Sequence, residues 1–389
     1  MKNLLITMSG GTTSVINATL CGIIKAAQES TVIDKIYAGF PGIVGFMNEA
    51  TIEVTNLTPT ELSILKTSPG SASIGTTRTK IFNEQDLELL KQVFDKYNIG
   101  YFINIGGNGT IKQTKAIASY MNNVFIAAAP KTVDNDLGDK NFDELWYTPG
   151  FPSCINYWHN KMQMLDNENI GACANDKVIV AQTFGRETGF LVGSLRMYDV
   201  NREKPIILLI PEDQTSTEHI MSKIENTLLK HNRAIIGICE GYKIDKYEYV
   251  YDQTNQIMYG SSTTSAMQQL INLCNKNNIQ ARGFNPTVDQ RQNFNFSLDN
   301  DINISYNIGM EIINNFKLGK THFFQTYTSS RKYKTIQLSK VSDYSRNMKE
   351  EWVLKNQFDV TDEYIKYLSS FTKIKNDKKT FVLGKVYER

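Results

Sequence analysis

Pro130-Lys131-Thr132-Val133-Asp134-Asn135-Asp136 follows an apolar run, Val124 to Ala129, whose length and β-branched and aromatic start suit a buried parallel strand. The heptapeptide therefore sits where a strand ends. At the carboxyl edge of an open α/β sheet, loops reach the crevice in which ligands bind. This one offers two carboxylates, an ammonium, a hydroxyl and an amide. Asp134 and Asp136 alternate, so an extended segment projects both to one side, one suited to take a proton and the other to hold a metal or water. An Asx-type turn capping the next element accounts for the same residues without a ligand.

Upstream, Leu4 to Thr7 reads as a strand that enters Ser9-Gly10-Gly11-Thr12-Thr13-Ser14 and then a helix with Ile16, Leu20, Ile23, Ile24 and Ala27 on one face. Strand, glycine turn and helix aim backbone N–H groups at an anion, and glycine lets the backbone approach its oxygens. Tyr101 to Ile105 is a second such strand, opening through Gly106-Gly107-Asn108-Gly109-Thr110 into another helix. Two of these turns, with the acidic loop after the next strand, point to a phosphate site. Between them, Ile36 to Val44 reads as a short strand, Thr58-Pro59-Thr60-Glu61 as a capped helix start, and Asn83 as the cap of a helix carrying Leu87, Leu90, Val93 and Phe94. The small-residue stretch Ser68 to Arg78 is either a flexible loop or a device that holds Arg78 over a phosphate.

Downstream the pattern restarts near residue 150, which implies a second α/β unit with a parallel sheet. Lys177 to Thr183, Ile206 to Ile210 and Ala234 to Cys239 read as strands ending in Phe184-Gly185-Arg186, Pro211-Glu212 and Glu240-Gly241. Each places a charge just past a carboxyl end, where a helix cap or ion pair is the ordinary explanation and a ligand group the functional one. Gln280 to Pro286 reads as a loop with one basic side chain, Arg282. A helix follows with Ile304, Ile308, Ile312 and Phe316 on one face, and residues 333–389 mix short strands with a Lys-rich helix.

Composition excludes several classes. The 389 residues carry a net charge of +2, with basic residues dispersed apart from a modest Lys373 to Lys379 cluster, so nothing marks a nucleic-acid or membrane surface. The five cysteines are scattered and form no CxxC pair, which favours a reducing cytoplasm over a disulfide frame or zinc site. No apolar run reaches membrane-spanning length.

Taken together, Ser9-Gly10-Gly11, Gly75 to Arg78, Gly106 to Thr110, Lys131 to Asp136, Phe184-Gly185-Arg186, Glu240-Gly241 and Arg282-Gly283 resemble the phosphofructokinase family in order and approximate spacing. The Ser-Gly-Gly…Val-Ile-Asn-Ala segment is most similar to its pyrophosphate-dependent branch. The resemblance implies an α/β fold of two Rossmann-like three-layer domains with mainly parallel sheets and an active-site cleft between them. Residues 1–147 with about 282–332 would form the larger, donor-binding domain, and 148–281 with about 333–389 the smaller, sugar-phosphate domain. It implies transfer of a phosphoryl group from pyrophosphate, or ATP, to the 1-hydroxyl of fructose 6-phosphate. Asp134 would be the base, Asp136 would orient it and hold Mg²⁺ with Asn108, and Thr132 would contact the transferred group. Gly10, Gly11, Arg78, Gly107, Asn108, Gly109, Thr110 and Lys131 would bind the donor. Lys177, Phe184, Gly185, Arg186, Glu240 and Arg282 would bind the sugar phosphate, and Arg186 would also join Asp134, Thr132 and Asp136 as a catalytic residue.

The departures from that pattern concern both substrates. Asn108 stands where the family usually has Asp, although the pyrophosphate branch also has Asn. Lys131 is the pyrophosphate-type residue, whereas Gly109 leaves room for a nucleotide, and relatives combining the two typically use ATP. Lys177 replaces a usual Arg and Phe184 a usual Met, and Leu273 to Ala281 lacks the family's Arg and His. A lysine supplies a point charge without the bidentate fork. The alternatives are thus another sugar or polyol phosphate taken with ATP, or a catalytically silent homologue that binds sugar phosphate or nucleotide. Family members form homodimers or homotetramers with sites shared across an interface, so an oligomer is expected.

Overall fold

The apolar runs that precede the acidic loop assemble as neighbouring strands of one sheet. The computed structural model describes residues 1–70, 73–79, 81–244, 250–251, 257, 259 and 265–374. Ser71 and Ala72 of the small-residue stretch, and the basic cluster beyond residue 374, lie outside the described residues.

The first run is β1 (Lys2–Met8), α1 (Ile16–Gln28), β2 (Ile33–Gly39), α2 (Gly42–Met47), β3 (Thr51–Glu53), α3 (Pro59–Thr67), α4 (Glu84–Lys96), β4 (Ile99–Gly106), α5 (Asn108–Tyr120) and β5 (Phe125–Pro130). The second is α6 (Phe151–Ala172), β6 (Val178–Thr183), α7 (Phe190–Ser194), β7 (Ile206–Leu209), α8 (Thr217–His231), β8 (Ala234–Cys239), α9 (Ala266–Lys276), β9 (Ala281–Phe284) and α10 (Asp289–Gln292). The chain then returns through α11 (Asp299–Lys317), β10 (Phe323–Tyr327), β11 (Tyr333–Gln337) and α12 (Asp362–Ser369). α12 carries one lysine, Lys366.

Seven strands in the order β11-β10-β5-β4-β1-β2-β3 form the larger sheet, parallel except for the edge strands β3 and β11. From β1 the chain moves one way to β2 and, later, the other way from β4 to β5. The gap between β1 and β4 is therefore the topological switch point, where ligands of open α/β sheets bind. Both glycine turns leave from these two strands. Alternate residues of β1 face opposite cores: Leu4, Ile6 and Met8 pack on the side of α1, Leu5 on the side of α4 and α5. The predicted stripe of α1 and the capping box at Thr58 and Glu61 are both present.

The smaller sheet, β7-β8-β6-β9, is wholly parallel. Helix α11 is tied to this half through Asp301, whose carboxylate accepts the Gly150 and Ser153 N–H groups at 3.2 Å and the Ser153 hydroxyl at 2.6 Å, capping α6.

Three local expectations are corrected. The second strand begins at Ile33 and ends at Gly39, and Gly42–Met47 is a short helix rather than strand. Gln280 to Pro286 is not a plain loop: Ala281–Phe284 pairs with β6. Sheet membership also crosses the boundaries near 282 and 333, because β9 joins the smaller sheet and β11 the larger one.

Candidate functional site

Both glycine turns and the acidic loop open into one cleft of about 340 Å³. Their convergence is set by strand pairing. β4 and β5 end together at Gly106 and Pro130, where the Lys131 N–H donates to the Gly106 carbonyl at 3.0 Å. Ser9 N–H donates to Ile105 O, and Gly10 N–H to Thr77 O, at the same distance, which brings Arg78 to the rim. Gly10 takes a left-handed φ of +81°, and a side chain at Gly11 would overlap the Arg291 guanidinium.

The two turns present opposite polarity. Gly107 is the N-cap of α5, so Asn108, Gly109 and Thr110 sit at a helix N-terminus facing the cleft, where the positive end of the helix dipole favours an anion. The Gly10–Gly11 turn is separated from α1 by Thr12 to Val15, and its carbonyls bind a cation instead. The buried Lys131 ammonium donates to Ser9 O at 3.2 Å and to Gly11 O.

The acidic loop is not extended. Asn135, between the two carboxylates, has φ +57° and turns its side chain into the core. There its amide donates to the Tyr367 hydroxyl at 2.9 Å and accepts the Thr148 N–H at 3.0 Å. With Asn135 inward, Asp134 and Asp136 both line the cleft. Burial, then the neighbouring Asp136 charge, pushes the Asp134 carboxyl up to about 6, against the opposing pull of Arg186, Thr132 and Arg291. Asp136 is held differently: its Oδ2 accepts the Asn108 amide at 2.9 Å, and that same amide reaches Ser345 Oγ at 3.1 Å.

The opposite wall comes from the smaller sheet. Thr183 and Cys239 are register partners on β6 and β8, so Phe184 to Arg186 and Glu240 leave from adjacent positions. Arg186, left-handed at φ +53°, donates its N–H to Glu240 Oε1 at 3.2 Å. Burial, then the Asp134 charge, pushes the Glu240 carboxyl up to about 8, which leaves it protonated near neutrality and able to donate. Gly185 sits behind this wall, where a Cβ would meet the Thr188 carbonyl at 2.6 Å and Cys239 Sγ at 3.1 Å. Glu212 is a cap: its Oε1 accepts Gly189 N–H at 3.1 Å and Met348 N–H at 3.0 Å.

Two expected cations are elsewhere. Lys177 precedes the amino end of β6, at the far end of the strand from the cleft. Arg282 lies exposed on β9 and pairs with Asp176 at 2.6 Å and Glu168 at 3.6 Å. Beside Arg186, this wall carries a second cation, Arg291, which sequence reasoning missed. Its guanidinium lies 5.2 Å from the Phe184 ring centroid and against Gly11, at the junction of the two halves. The preceding Gln290 accepts the Phe184 N–H at 2.9 Å and the Trp158 indole N–H at 3.1 Å. The available signal was the distance from β9. Once 281–284 is a strand, the basic residue past its carboxyl end is Arg291, not Arg282.

Among the described residues, no three His, Cys, Asp or Glu side chains gather as a metal cage. Asp134 and Asp136 repel each other across an anion pocket, the setting in which a divalent cation binds through one or two carboxylates plus substrate phosphates. The arrangement can accept a proton, neutralise phosphate charge and donate to a hydroxyl, all inside one cleft.

The family model for phosphofructokinases matches residues 3–291. A pyrophosphate–fructose 6-phosphate 1-phosphotransferase of Halomonas elongata is 28% identical over 263 residues, 65% of this chain and 61% of the relative, less than two thirds of its length. The enzyme of the same name from Rhodospirillum rubrum is 24% identical over 387 residues, 93% of this chain and 92% of the relative. The solved structure of a pyrophosphate-dependent phosphofructokinase from Nitrosospira multiformis superposes with a TM-score of 0.84, covering 97% of this chain and 94% of that one at 24% identity.

Proposed function

Because the chain belongs to the phosphofructokinase family, we propose that it moves a phosphoryl group from pyrophosphate to the 1-hydroxyl of fructose 6-phosphate, giving fructose 1,6-bisphosphate and phosphate. The observation that carries this reading is the meeting of both glycine turns with Asp134 and Asp136 in one cleft, opposite Arg186, Glu240 and Arg291.

Asp134 takes the proton of the 1-hydroxyl, the freed oxygen attacks the terminal phosphorus, and the bond to the leaving phosphate breaks. A base whose carboxyl lies near 6 is ionised at neutral pH yet basic enough to share a proton. The α5 N-terminus, Arg78 and Lys131 receive the donor phosphates, and Thr132 stands beside the transferred group. Positioning and charge stabilisation dominate such transfers, so no covalent nucleophile is needed. Protonated Glu240 donates to a sugar hydroxyl, while Arg186 and Arg291 hold the anionic acceptor. Mg²⁺ would be held by Asp136 and donor phosphate oxygens, with Asn108 orienting Asp136, and would neutralise charge on the transferring group.

Lys131 supports pyrophosphate as donor, since its buried ammonium fills the space beneath the Gly10–Gly11 turn. ATP is the second reading, favoured by Gly109 on the cleft wall. Lys177 and Arg282 lie outside their own chain's cleft, which supports a homodimer or homotetramer in which they serve a partner's acceptor site. None of the five cysteines is paired, consistent with a cytoplasmic protein, and no helix among the described residues is long and apolar enough to cross a membrane.

The test is turnover with Mg²⁺ and a panel of sugar phosphates, run separately with pyrophosphate and ATP. Rapid formation of the 1,6-bisphosphate with pyrophosphate is expected. Faster turnover with ATP transfers the assignment to the second reading, and turnover with neither donor leaves a silent binding protein.

A further inference from the structure

Residues 341–349 form a strap that joins parts of the molecule far apart in sequence. At one end Lys115 of α5 donates to Val341 O at 2.5 Å and pairs with Asp343 at 2.6 Å. In the middle Ser345 accepts the Asn108 amide at 3.1 Å, and at the other end Met348 N–H reaches Glu212 at 3.0 Å. Between these anchors Arg346 enters the core and is 0% exposed.

Its guanidinium donates to neutral oxygens, all in or beside the acidic loop: Nε to Asn135 O at 2.8 Å, Nη2 to Asn135 Oδ1 at 2.8 Å, and Nη1 to Leu145 O at 2.5 Å. Its backbone N–H donates to Asp136 O at 2.8 Å, and the guanidinium plane lies 4.0 Å from the Phe142 ring centroid. Burying a cation on carbonyls is costly, because neutral oxygens offset little of the lost hydration. Burial accordingly pushes the Arg346 pKa below its usual value. Filling a core volume does not require a charge. Two of the three guanidinium bonds run to the one residue between the two cleft carboxylates, which gives the charge a purpose.

We propose that Arg346 is the positioning residue of the acidic loop: its fork fixes the left-handed turn at Asn135, so that Asp134 and Asp136 face the donor and acceptor together. Arg346 does not line the cleft and touches no reacting atom. The inference rests on the reading of Asp134 as base. A lysine cannot replace the fork, since its point charge reaches one of these oxygens where the planar guanidinium spans three.

The experiment compares Arg346→Ala, Arg346→Lys and Asp134→Asn with the unaltered enzyme in the forward reaction across pH 5 to 9. Thermal melting supplies the folded fraction that normalises each rate. Arg346→Ala is expected to lose about a hundredfold in kcat, within the range of a displaced general base, with little change in either KM, and to move the acid limb of its pH profile. Millimolar guanidinium should restore part of that rate by entering the vacated site, whereas equal urea or sodium chloride should not. Arg346→Lys should fold and remain well below the unaltered rate, and it carries the test if the alanine variant does not fold. The inference is overturned if either folded variant keeps the unaltered rate and profile, or if its loss is uniform with pH and matches the unfolded fraction. An Asp134→Asn enzyme at full rate would instead overturn the base reading itself, a distinct outcome.

Discussion

The two walls of the cleft are built on different plans. The donor wall comes from consecutive strands at a switch point, and its side chains are bonded in place: Lys131 to two carbonyls, Asp136 to Asn108, Asn135 to Arg346 and Tyr367. The acceptor wall is gathered from the ends of β6 and β8 and a four-residue helix, and its acid at the cleft, Glu240, is desolvated more than Arg186 and Arg291 offset. On the proposed function, a polyphosphate would meet a preformed cradle, whereas a sugar phosphate would meet groups that are less fully bonded. Preorganisation of the first kind is worth most in the transition state.

The hardest blow to that contrast falls on the proposed base, Asp134. Asp134→Asn keeps the volume and removes the proton acceptor, so kcat should fall on the order of 10² to 10⁴-fold with both KM values nearly unchanged. In the unaltered enzyme the rate should fall as pH drops below about 6, where Asp134 is protonated. A near-normal rate in the variant removes Asp134 from its role. Next comes Arg291→Met, which deletes the cation shared by both walls. Loss of a charged hydrogen bond of about 1.5–3 kcal/mol corresponds to roughly 10- to 150-fold in kcat/KM for the acceptor. If the whole loss appears instead in the donor KM, Arg291 belongs to the donor wall and the contrast must be redrawn.

The same contrast explains what could be read in advance. The donor wall was legible because each of its parts is contiguous: a strand of apolar residues, a glycine turn, a helix. Even there, the opposed polarity of the two turns was hidden, since the Lys131 ammonium reaches the Gly11 carbonyl from 120 residues away. The acceptor wall was half legible. Phe184, Arg186 and Glu240 end recognisable strands, but β9 is four residues long, holds Arg282 and Gly283, and carries no apolar run. Misreading it as loop hid Arg291 and left Arg282 as the candidate. Arg346 gave no signal, because a basic residue in a polar segment looks solvated until the fold closes over it.

A smaller effect tests whether the acceptor wall is completed from outside. Arg282→Ala should leave stability nearly unchanged, because an exposed ion pair contributes about 0–1 kcal/mol. If Arg282 serves a partner's cleft, the acceptor KM should rise about tenfold, the scale of one lost charged contact. Mixing Arg282→Ala with Asp134→Asn subunits should then restore activity, since one hybrid site has both the base and the cation. Unchanged kinetics in the variant would confine the acceptor wall to a single chain.

The subtlest expectation concerns the charge that the acceptor wall leaves uncompensated. Glu240 titrates near 8 in the folded protein against an ordinary carboxyl value of 4.5, so between those values the folded state holds a proton that the unfolded state has released. Stability should therefore decline as pH rises from about 4.5 to 8 and level off above, the sign required when the native state binds more protons. Asp134 adds the same slope up to about 6. Glu240→Gln keeps a neutral donor in place and removes this part of the decline. The variant should melt several degrees above the unaltered protein at pH 8.5, where the proton that the folded state holds on Glu240 has been lost. At pH 5, where Glu240 is already protonated, the two should melt together. An equal difference at both pH values would mean that Gln acts through packing, and that the Glu240 carboxylate is as well compensated as Asp136 on the opposite wall.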